Sequence, residues 1–303
     1  MNKFKIAVTG STGLLGRAVV KYFKAQGHEV FRLIRPDSKV VSDKNDVIWD
    51  VISQRIDLEK LEGIDVVIHL AGENLAAHRW SNEFKDKILT SRVQGTTFLS
   101  GILFKLKNPP KVFLAASAVG YYGSHHGAEI LDESSPQGED FLAQLCMLWE
   151  EATKGAELAG IRVVNMRTAA VLGREGGALG KMLPIFRMGL GGPLGDGQQM
   201  FSWICVDEIP LAMEHIINSV ELKGAVNLAA PNAVTNREFT DRLGRTLNRP
   251  TIFPIPAVAI RMMFGEMADA ILLSSINAVP KKLTESGYRF KFSSLDETLK
   301  QCV

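Results

Sequence analysis

Cysteine, net charge and uninterrupted apolar runs are all scarce in this chain of 303 residues. Its three cysteines, Cys146, Cys205 and Cys302, are odd in number and widely separated, which suits free thiols in a reducing cytoplasm better than a disulfide framework. A net charge of +2, with 22% charged residues, leaves no electrostatic footprint for a nucleic acid. We therefore expect a cytoplasmic protein without a nucleic-acid partner.

The sequence also lacks a segment suited to the membrane. Two prolines and three charged residues interrupt its longest apolar region, residues 252–276. Lys3 and Lys5 interrupt the first apolar segment, which is typical of a strand and not of a signal peptide. No grouping of His, Cys and carboxylate residues has the spacing of a zinc site. We expect neither a membrane partner nor a bound metal.

A glycine-spaced turn near the amino terminus is the strongest functional signal that is present. An apolar strand, Phe4–Val8, leads into the turn Thr9–Gly16. A helix with apolar periodicity follows over Leu14–Ala25, and a second strand, Glu29–Ile34, comes after it. A strand, a glycine turn and a helix in this order predict the pyrophosphate site of a dinucleotide.

Each glycine of the turn has an expected role. Gly10 permits the tight turn, Gly13 lets the backbone approach the phosphates, and Gly16 allows the helix to pack closely on the strand. The cofactor contacts expected in this turn are Gly10, Thr12, Gly13, Leu14, Leu15 and Gly16.

Strand-like and helix-like segments alternate through the first half of the chain. Strands are expected near residues 4–8, 29–34, 65–70, 111–116 and 161–167. This alternation predicts an α/β protein with a Rossmann-type doubly wound parallel sheet and a smaller C-terminal substrate lobe. Ligands bind at the carboxyl ends of such strands, where this chain has Leu70, Ala71, Gly72 and Ser117.

The residues after the second strand indicate which dinucleotide is bound. An NAD site usually has a carboxylate about 20 residues beyond the glycines, but Ile34 stands there and Arg35 follows. A guanidinium pairs with the 2′-phosphate of NADP, so we expect NADP(H), with a solvated Arg35 as the alternative. Asp50 either accepts a hydrogen bond from the adenine amino group or caps a turn.

The composition of the chain changes beyond Thr168, where glycine and proline become frequent. We expect an NADP-binding domain over residues 1–168, with contributions from about 203–230. Residues 169–303 are expected to form a mixed substrate lobe over the cofactor, including a small C-terminal domain from about residue 249.

Several motifs together resemble the short-chain dehydrogenase/reductase superfamily, in its extended, nucleotide-sugar epimerase-like branch. They are Thr9–Gly16, His69–Gly72, Gly95–Thr96, Ser117–Gly123, Arg167–Gly173 and Gly195–Gly197. More narrowly, Gly72–Asn74, Arg79–Trp80, Ser91–Arg92, Ser202–Ile204 and Gly265–Ala268 look like the YfcH-like epimerase family proteins, which carry a C-terminal domain of unknown function. The resemblance covers essentially the whole chain and implies that Ser117 and Arg167 contribute to the cofactor site.

The chain departs from that superfamily at the catalytic centre. The superfamily's enzymes use a Tyr-x-x-x-Lys pair, whose lysine lowers the tyrosine pKa, and none of the four tyrosines here has a lysine four positions later. Aligning Glu150 with the family's acidic residue puts Leu142 in the tyrosine position and Cys146, expected to be a buried thiol, in the lysine position. Phe201 falls near the position of the arginine that commonly binds the diphosphate of a nucleotide sugar in this branch of the superfamily.

Other residues are candidates to replace the missing pair. Ser117 lies where a hydroxyl commonly polarises the substrate carbonyl, although a slip of one residue puts Ala118 there. Tyr122 can exchange a proton or simply be a packed aromatic residue of the loop. His125 and His126 can move protons too, but their neighbours indicate an exposed turn.

The expected pocket lies between residues 117–122, 167–173 and 200–203, with Met182, Phe186 and residues 266–267 as its lid. The alternative is that Met182, Phe186 and Trp203 only join the two lobes. A mostly apolar lining favours a small, weakly charged carbonyl or hydroxyl substrate, unless Arg79, Lys87 or Arg92 meets a phosphate.

Two classes of function remain open from the sequence. The first is an NADP(H)-dependent oxidoreductase or epimerase-like enzyme with unusual acid and base groups and a small-molecule substrate. The second is a non-catalytic NADP(H)-binding sensor or partner-binding protein, which the missing Tyr-Lys pair favours.

Overall fold

The computed structural model of the protein describes residues 3–38, 43–125 and 127–303. The strands in chain order are β1 (Lys5–Thr9), β2 (Glu29–Ile34), β3 (Asp46–Asp50), β4 (Arg55–Ile56), β5 (Val66–His69), β6 (Val112–Ala118), β7 (Ile130–Leu131), β8 (Arg162–Thr168), β9 (Ala170–Gly173), β10 (Met200–Phe201), β11 (Trp203–Cys205), β12 (Gly224–Leu228), β13 (Val234–Thr235) and β14 (Asn277–Ala278). The helices are α1 (Leu14–Ala25), α2 (Asn82–Lys105), α3 (Phe141–Glu151), α4 (Lys154–Leu158), α5 (Gly177–Arg187), α6 (Glu208–Asn218), α7 (Asn236–Leu247), α8 (Ala257–Phe264), α9 (Lys281–Glu285) and α10 (Leu295–Cys302).

The central sheet has the strand order β12-β8-β6-β5-β1-β2-β3-β4, and its strands pair in parallel except for β3 and β4. The later strands β5, β6, β8 and β12 lie on one side of β1, while β2 and β3 lie on the other. The order in which strands are added to the sheet therefore reverses between β1 and β5, and a crevice opens at the carboxyl ends of these two strands. The predicted α/β fold with a Rossmann-type doubly wound sheet is confirmed.

The elements predicted for the first half agree closely with the structure. Helix α1 has the predicted bounds, and β1, β2, β5, β6 and β8 begin and end within two residues of the predicted strands. All four residues of β5 are buried, as its continuous apolar run indicates. Local sequence patterns therefore place the elements that form the crevice.

Residues 140–159 contain two short helices in place of one continuous helix. Asp140 caps the start of α3 by accepting a hydrogen bond from the backbone N–H of Ala143 at 2.8 Å. Near its end, the Thr153 hydroxyl donates to the carbonyl oxygen of Glu150 at 2.6 Å, and the chain restarts as α4. Gly155 then lies close against Ser100, where a Cβ would stand 3.2 Å from the Ser100 side chain. The break lets α4 pack on α2.

The core lies on both faces of the sheet. Val8, Ile68 and Leu114 pack on one face in a cluster that includes residues of α1 and α6. Ala7 and Phe113 pack on the opposite face, in a cluster that includes residues of α2. Because side chains alternate along a strand, a strand buried on both faces needs apolar residues at every position.

The C-terminal segment is bound to the rest of the fold by a buried carboxylate. Glu208, at the start of α6, accepts hydrogen bonds from the Phe292 amide at 2.6 Å, from the Lys291 amide at 3.3 Å and from the Tyr288 hydroxyl. Strand β14 also pairs with β7. Residues beyond 249 thus contact the main sheet region through several elements, and the expected boundary near 249 stays a prediction.

Two further features follow from the packing. The three cysteines are free and buried, as their spacing indicates. Among residues 3–38, 43–125 and 127–303, no helix combines the length and the apolar character that crossing a membrane requires.

His69, the last residue of β5, is buried within a chain of hydrogen bonds. The Thr9 hydroxyl accepts from two backbone amides, so it donates its own proton to His69 Nδ1 at 2.8 Å. His69 Nε2 then donates to the Thr96 hydroxyl at 3.0 Å, and the Trp149 indole also donates to that hydroxyl at 3.0 Å. The imidazole is therefore neutral and protonated on Nε2. Burial lowers the pKa of His69 to about 4.

We expect His69 to make the folded state sensitive to acid. A folded pKa of about 4 lies below the unfolded value of about 6.5, so this contribution to stability is complete above pH 6.5 and is lost as pH falls toward 4. Between pH 7 and pH 4.5 the protein loses about 2.5 kcal/mol of folding stability through protonation of His69 in the unfolded state. The variant His69→Gln does not show this part of the pH dependence. Urea unfolding at both pH values measures this difference.

The exposed His78 provides a matched control, and His78→Gln leaves the pH dependence of unfolding as in the unchanged protein. An equal fall in stability between pH 7 and pH 4.5 in His69→Gln and in the unchanged protein contradicts the neutral, buried state of His69.

Candidate cofactor and substrate site

The turn between β1 and α1 requires glycine for different reasons at its three positions. Gly10 has a φ of +64°, and a Cβ there would stand 2.8 Å from the Leu70 carbonyl group. A Cβ on Gly16 would stand 2.1 Å from the Gly10 carbonyl oxygen, so Gly16 packs on the turn itself and not on the strand as expected. A Cβ on Gly13 would meet only the Gly10 oxygen, at an ordinary 3.4 Å. The exposed side of Gly13 is therefore open to a ligand.

The start of α1 carries the electrostatic features of an anion site. The helix begins without a side-chain cap, and no acidic residue lies in its first turn. Its first amides, including those of Leu14, Leu15 and Gly16, have no acceptor within the helix, and the helix dipole adds positive potential. Beside them, the buried Ser11 hydroxyl has no hydrogen-bond partner among the described residues. This arrangement suits a phosphate.

The carboxyl ends of β1 and β5 are held together next to this turn. The Thr9 hydroxyl accepts hydrogen bonds from the amides of Leu70 at 3.0 Å and Ala71 at 3.1 Å. Thr12 lies exposed on the turn, and its carbonyl oxygen accepts from Arg17 at 2.8 Å. The structure thus brings together the two groups of expected cofactor contacts, the turn and the segment after β5.

The second lobe covers the start of α1. The Leu14 side chain lies 3.2 to 3.7 Å from the positions that a Cβ would take on Gly173, Gly176 and Gly177. Farther along α5, Lys181 donates to the Ala76 carbonyl oxygen at 3.1 Å. These contacts extend the second lobe across the crevice, from α1 to the segment after β5.

The residues expected at the adenosine end have different surroundings. Arg35 is exposed just beyond β2, and its Nε lies 3.7 Å from Asp37. Arg32 instead binds both oxygens of Asp46 at 2.7 Å. Asp50 accepts from the Ile52 amide at 2.9 Å and from the Ser53 hydroxyl at 2.7 Å, so the structure shows the turn-capping alternative. Contacts of Arg35 with a 2′-phosphate and of Asp50 with adenine stay predictions.

A network of buried polar side chains joins the ends of β6, β8 and β12. Ser117 donates to Glu150 at 2.7 Å, and Arg167 binds both oxygens of the same carboxylate at 2.8 and 2.9 Å. Arg167 also donates to the Tyr122 hydroxyl at 3.2 Å, which donates in turn to Asn227 at 2.7 Å. Burial opposes the charge of Arg167, but the bonds to Glu150 hold its pKa above the usual range.

This network corrects the expected role of Arg167. Its guanidinium is buried, is bound by Glu150 and Tyr122, and lies over the Tyr121 ring with the Cζ atom 3.4 Å from the ring centre. All of these contacts are internal to the protein. The side chain supports the ends of β6 and β8 and is not available to a cofactor.

The two expected catalytic hydroxyls are also used internally. The Ser117 proton is donated to Glu150, so none is left to polarise a substrate carbonyl, and the alternative residue Ala118 has no hydroxyl. Tyr122 has an exposed fraction of 0%, and burial raises its pKa to about 12. A fully buried phenol does not face a substrate, and its pKa lies far from the near-neutral value that suits a general acid or base. The structure therefore shows the packed-aromatic alternative for Tyr122.

The positions of the superfamily's Tyr-Lys pair are apolar. Leu142 and Cys146 lie beneath Gly120, where a Cβ would stand 3.4 Å from Leu142 and 4.0 Å from the Cys146 sulfur. Burial, reinforced by the nearby Glu150 carboxylate, raises the pKa of Cys146 to about 12. Cys146 is thus an uncharged thiol and does not replace a lysine.

The residues expected to line the pocket divide into two groups. Phe186 and Trp203 are buried in one apolar core cluster, where they are packing side chains and do not line an open pocket. Met182 is half-buried against the same core. Residues 266–267 lie elsewhere, because Glu266 pairs with Lys85 of α2 at 2.9 Å and Met267 packs in a cluster with Leu142. This short segment lies over the helices beside the crevice.

His125, the loop histidine that the structure describes, takes no part in the crevice. His125 contacts Glu129 and the Tyr122 carbonyl oxygen at 3.0 and 2.9 Å, which holds the loop together. His126 lies outside the described residues. Phe201, expected near the diphosphate position, packs its ring against Phe239 at 4.7 Å between centres. A cavity of about 600 Å³ lies by α7, lined by residues outside the predicted site such as Asp241.

Sequence reasoning missed the role of one important residue and the surroundings of another. Glu150 served only as an alignment marker, although a carboxylate directly after the apolar helix segment 141–149 signals a buried partner. Arg92 was named only as one of three cations that could meet a phosphate. It is buried in α2, where it lies against Gly72 and over the Trp149 ring.

Comparison with known proteins identifies the family. Residues 6–229 match the NAD dependent epimerase/dehydratase family, and residues 255–302 match the Domain of unknown function (DUF1731). The chain belongs to the NAD dependent epimerase/dehydratase family. Among its relatives, the Epimerase family protein Mb2239 of Mycobacterium bovis is 40% identical over 97% of this chain and 96% of that protein. The human Epimerase family protein SDR39U1 is 34% identical over 99% of both chains.

Solved structures of this family have the same fold. The crystal structure of human SDR39U1 (isoform2) with NADPH superposes with a TM-score of 0.88 and 32% identity, covering 98% of each chain. The nucleoside-diphosphate sugar epimerase from Corynebacterium glutamicum gives a TM-score of 0.81 at 31% identity, over 99% of this chain and 58% of that one. The resemblance to an epimerase family with a C-terminal domain of unknown function is confirmed.

Removing the charge of Glu150 tests the buried network of this epimerase-family chain. Glu150→Gln keeps the shape of the side chain but leaves Arg167 as a buried cation without a counter-charge. Breaking such a pair costs about 3 to 5 kcal/mol of folding free energy. We expect a loss of this size in urea unfolding at pH 7.

Glu151, the neighbour of Glu150, provides the control, because it pairs with Lys154 at the surface. The exposed fraction of the side chain is 51% for Glu151 and 65% for Lys154. Glu151→Gln is expected to change stability by less than about 0.5 kcal/mol. Equal stability changes in the two variants count against a structural role for the Glu150–Arg167 pair.

Proposed function

We propose that this protein is an NADP(H)-dependent oxidoreductase or epimerase-like enzyme that acts on a small molecule without the usual Tyr-Lys pair. The observation that carries the proposal is the turn at Gly10–Gly16, where uncapped amides of α1 and the open side of Gly13 suit a pyrophosphate. The three buried free thiols support a reducing, cytoplasmic location.

The residues present fit a dinucleotide at the crevice between β1 and β5. The turn would hold the phosphates, Ser11 would gain the partner that its buried hydroxyl lacks among the described residues, and Arg35 would meet a 2′-phosphate. A relative supports the choice of nucleotide, since human SDR39U1 was solved with NADPH. When bound, such a cofactor supplies a hydride that is transferred to or from the substrate.

The protein's own contribution to such a reaction is positioning and exclusion of water. The Glu150–Arg167 pair fixes the ends of β6 and β8, and residues 173–177 cover the start of α1. Ser117 and Tyr122 hold their protons within the network, and neither is assigned a catalytic role. Proton exchange with the substrate therefore involves a residue other than these two, or solvent.

A second candidate function is a non-catalytic NADP(H) sensor. The observation that favours it is the apolar character of the crevice wall at Leu142 and Cys146, which offers no proton donor of suitable pKa. The two functions are separated by turnover of a metabolite. An oxidoreductase oxidises NADPH in proportion to the metabolite it reduces, an epimerase-like enzyme converts a metabolite with no net change of the cofactor, and a sensor binds NADPH and converts nothing.

NADP(H) is expected to bind at least ten times more tightly than NAD(H). A tenfold preference corresponds to about 1.4 kcal/mol, which one guanidinium–phosphate contact supplies. Arg35→Asp abolishes or reverses the preference, because a carboxylate repels the 2′-phosphate and accepts from ribose hydroxyls. Calorimetric titration with both cofactors measures it.

The matched control is Arg289→Asp, which makes the same change of charge at an exposed residue outside the crevice. It is expected to keep the tenfold preference, so a loss in both variants indicates a general effect of net charge. Equal affinities of the unchanged protein for NADPH and NADH disprove the role of Arg35.

Ordinary epimerisation of UDP-glucose to UDP-galactose is expected to be undetectable or very slow. Leu142 does not exchange a proton, and Phe201 packs on Phe239 where a diphosphate partner is commonly found. Absence of positioned acid–base catalysis lowers a rate by about 100-fold to 10,000-fold. Rapid turnover, followed by NMR of the sugar anomeric protons, shows that another group performs this step.

A further inference from the structure

Arg92 is a buried cation that makes no ion pair within the described part of the chain, although the Glu73 carboxylate is near enough to act on it electrostatically. The side chain belongs to α2 and has an exposed fraction of 8%. Its recorded hydrogen bond is a long one, from Nη1 to the Ile88 carbonyl oxygen at 3.3 Å. Among the described residues, no carboxylate oxygen lies within ion-pair distance of its guanidinium. Burying a charge without a counter-charge is costly, so such residues are retained where a ligand supplies the missing charge.

The surroundings of Arg92 are built to hold it in one position. Its Cζ lies 4.9 Å from the centre of the Trp149 ring, and the Trp149 indole is fixed by its bond to Thr96. On the neighbouring residue, the Ser91 hydroxyl accepts from the Glu73 amide at 3.0 Å and donates to the Ile88 carbonyl oxygen. The segment after β5 is thereby fastened to α2 directly beside the guanidinium.

The guanidinium also lies at the crevice. Its Cζ is 3.4 Å from the position that a Cβ would take on Gly72, the exposed residue that follows Ala71 at the carboxyl end of β5. Trp149 of α3, against which Arg92 stacks, follows Cys146, the residue in the superfamily's lysine position, by three residues. Arg92 therefore stands at the wall of the crevice between the end of β5 and α3, and Gly72 keeps the approach to it free of a side chain.

We propose that Arg92 recognises an oxyanion of the substrate, so that the substrate of this site is an acidic small molecule. A guanidinium stacked on an aromatic ring presents a flat set of N–H donors that fits a carboxylate or a phosphate. This inference rests on the proposed NADP(H)-binding function and revises the sequence-based expectation of a weakly charged substrate.

An oxyanion at Arg92 has two sources, the substrate or the pyrophosphate of the cofactor. The pyrophosphate is expected at the amides of α1, which accommodate it without Arg92. The geometry favours the substrate, because Arg92 lies on the α2–α3 side of the crevice beside Trp149. Independent measurements of cofactor binding and of anion binding separate the two sources.

The experiment titrates malonate and inorganic phosphate into the full-length protein saturated with NADPH, at constant ionic strength, with neutral malonamide as the uncharged analogue. We expect saturable binding of at least one anion and none of malonamide, followed by calorimetry and by the fluorescence of the tryptophan beside Arg92. Arg92→Met, which keeps the apolar stem and removes the charge, weakens anion binding at least tenfold and changes the NADPH affinity less than twofold.

The matched control is Lys105→Met, which removes an exposed cation from the same helix and leaves anion binding unchanged. Arg92→Lys keeps the charge without the flat donor set and is expected to give intermediate affinity. We also expect the melting temperature of Arg92→Met without ligand to stay equal or rise, because an unneutralised buried charge is removed, whereas a purely structural arginine gives a lower one.

Three results overturn the proposal. In the first, Arg92→Met binds the anion as tightly as the unchanged protein does. In the second, the unchanged protein binds no anion. In the third, Arg92→Met loses NADPH affinity tenfold, which assigns the guanidinium to the cofactor. Should Arg92→Met fail to fold, Arg92→Lys decides by the same titrations. Failure of the proposed function looks different, because the unchanged protein then either binds no NADPH or binds it and converts no metabolite.

Discussion

The ion pair between Arg167 and Glu150 is the contact on which the shape of the crevice depends. It fastens β8 to α3, and through Ser117 and Tyr122 it includes β6 and the loop after it. Two charges taken out of water stabilise a fold only when their geometry is good and their remaining hydrogen-bonding groups are satisfied. Both conditions hold, since both carboxylate oxygens are bound and the guanidinium has further contacts with aromatic rings. The pair therefore gives the site a defined rigid wall.

Much of the fold could be predicted because its signals are local. The tight turn at Gly10, the periodicity of Leu14–Ala25 and the apolar run of β5 lie in neighbouring residues, and each was placed within two residues. The polar wall of the crevice could not be predicted in the same way. Glu150 and Arg167 are on different elements, and Tyr122 is 105 residues from Asn227 in the sequence. Only the strand order brings these side chains together, so the sequence shows the residues without showing their partners.

The same network explains why residues that look catalytic in the sequence are structural in this protein. Ser117 and Tyr122 carry hydroxyl groups at the end of β6, where substrates bind in this kind of fold. A hydroxyl polarises a substrate carbonyl by donating its own proton, and here the Ser117 proton is donated to Glu150 and the Tyr122 proton to Asn227. Position at a strand end is therefore insufficient evidence for catalysis, and the partners of a side chain decide its role.

The two buried arginines of the crevice differ in their partners. Arg167 has a carboxylate, a phenol hydroxyl and an aromatic ring as partners, and its pKa is raised. Arg92 has an aromatic ring and one long bond to a carbonyl oxygen, and burial lowers its pKa to about 10. Folding stability alone selects arrangements like the first, because they compensate for desolvation within the protein. An arrangement like the second is compensated only when an anion arrives from outside. The difference in partners thus separates the arginine that builds the wall of the crevice from the one that faces its ligand.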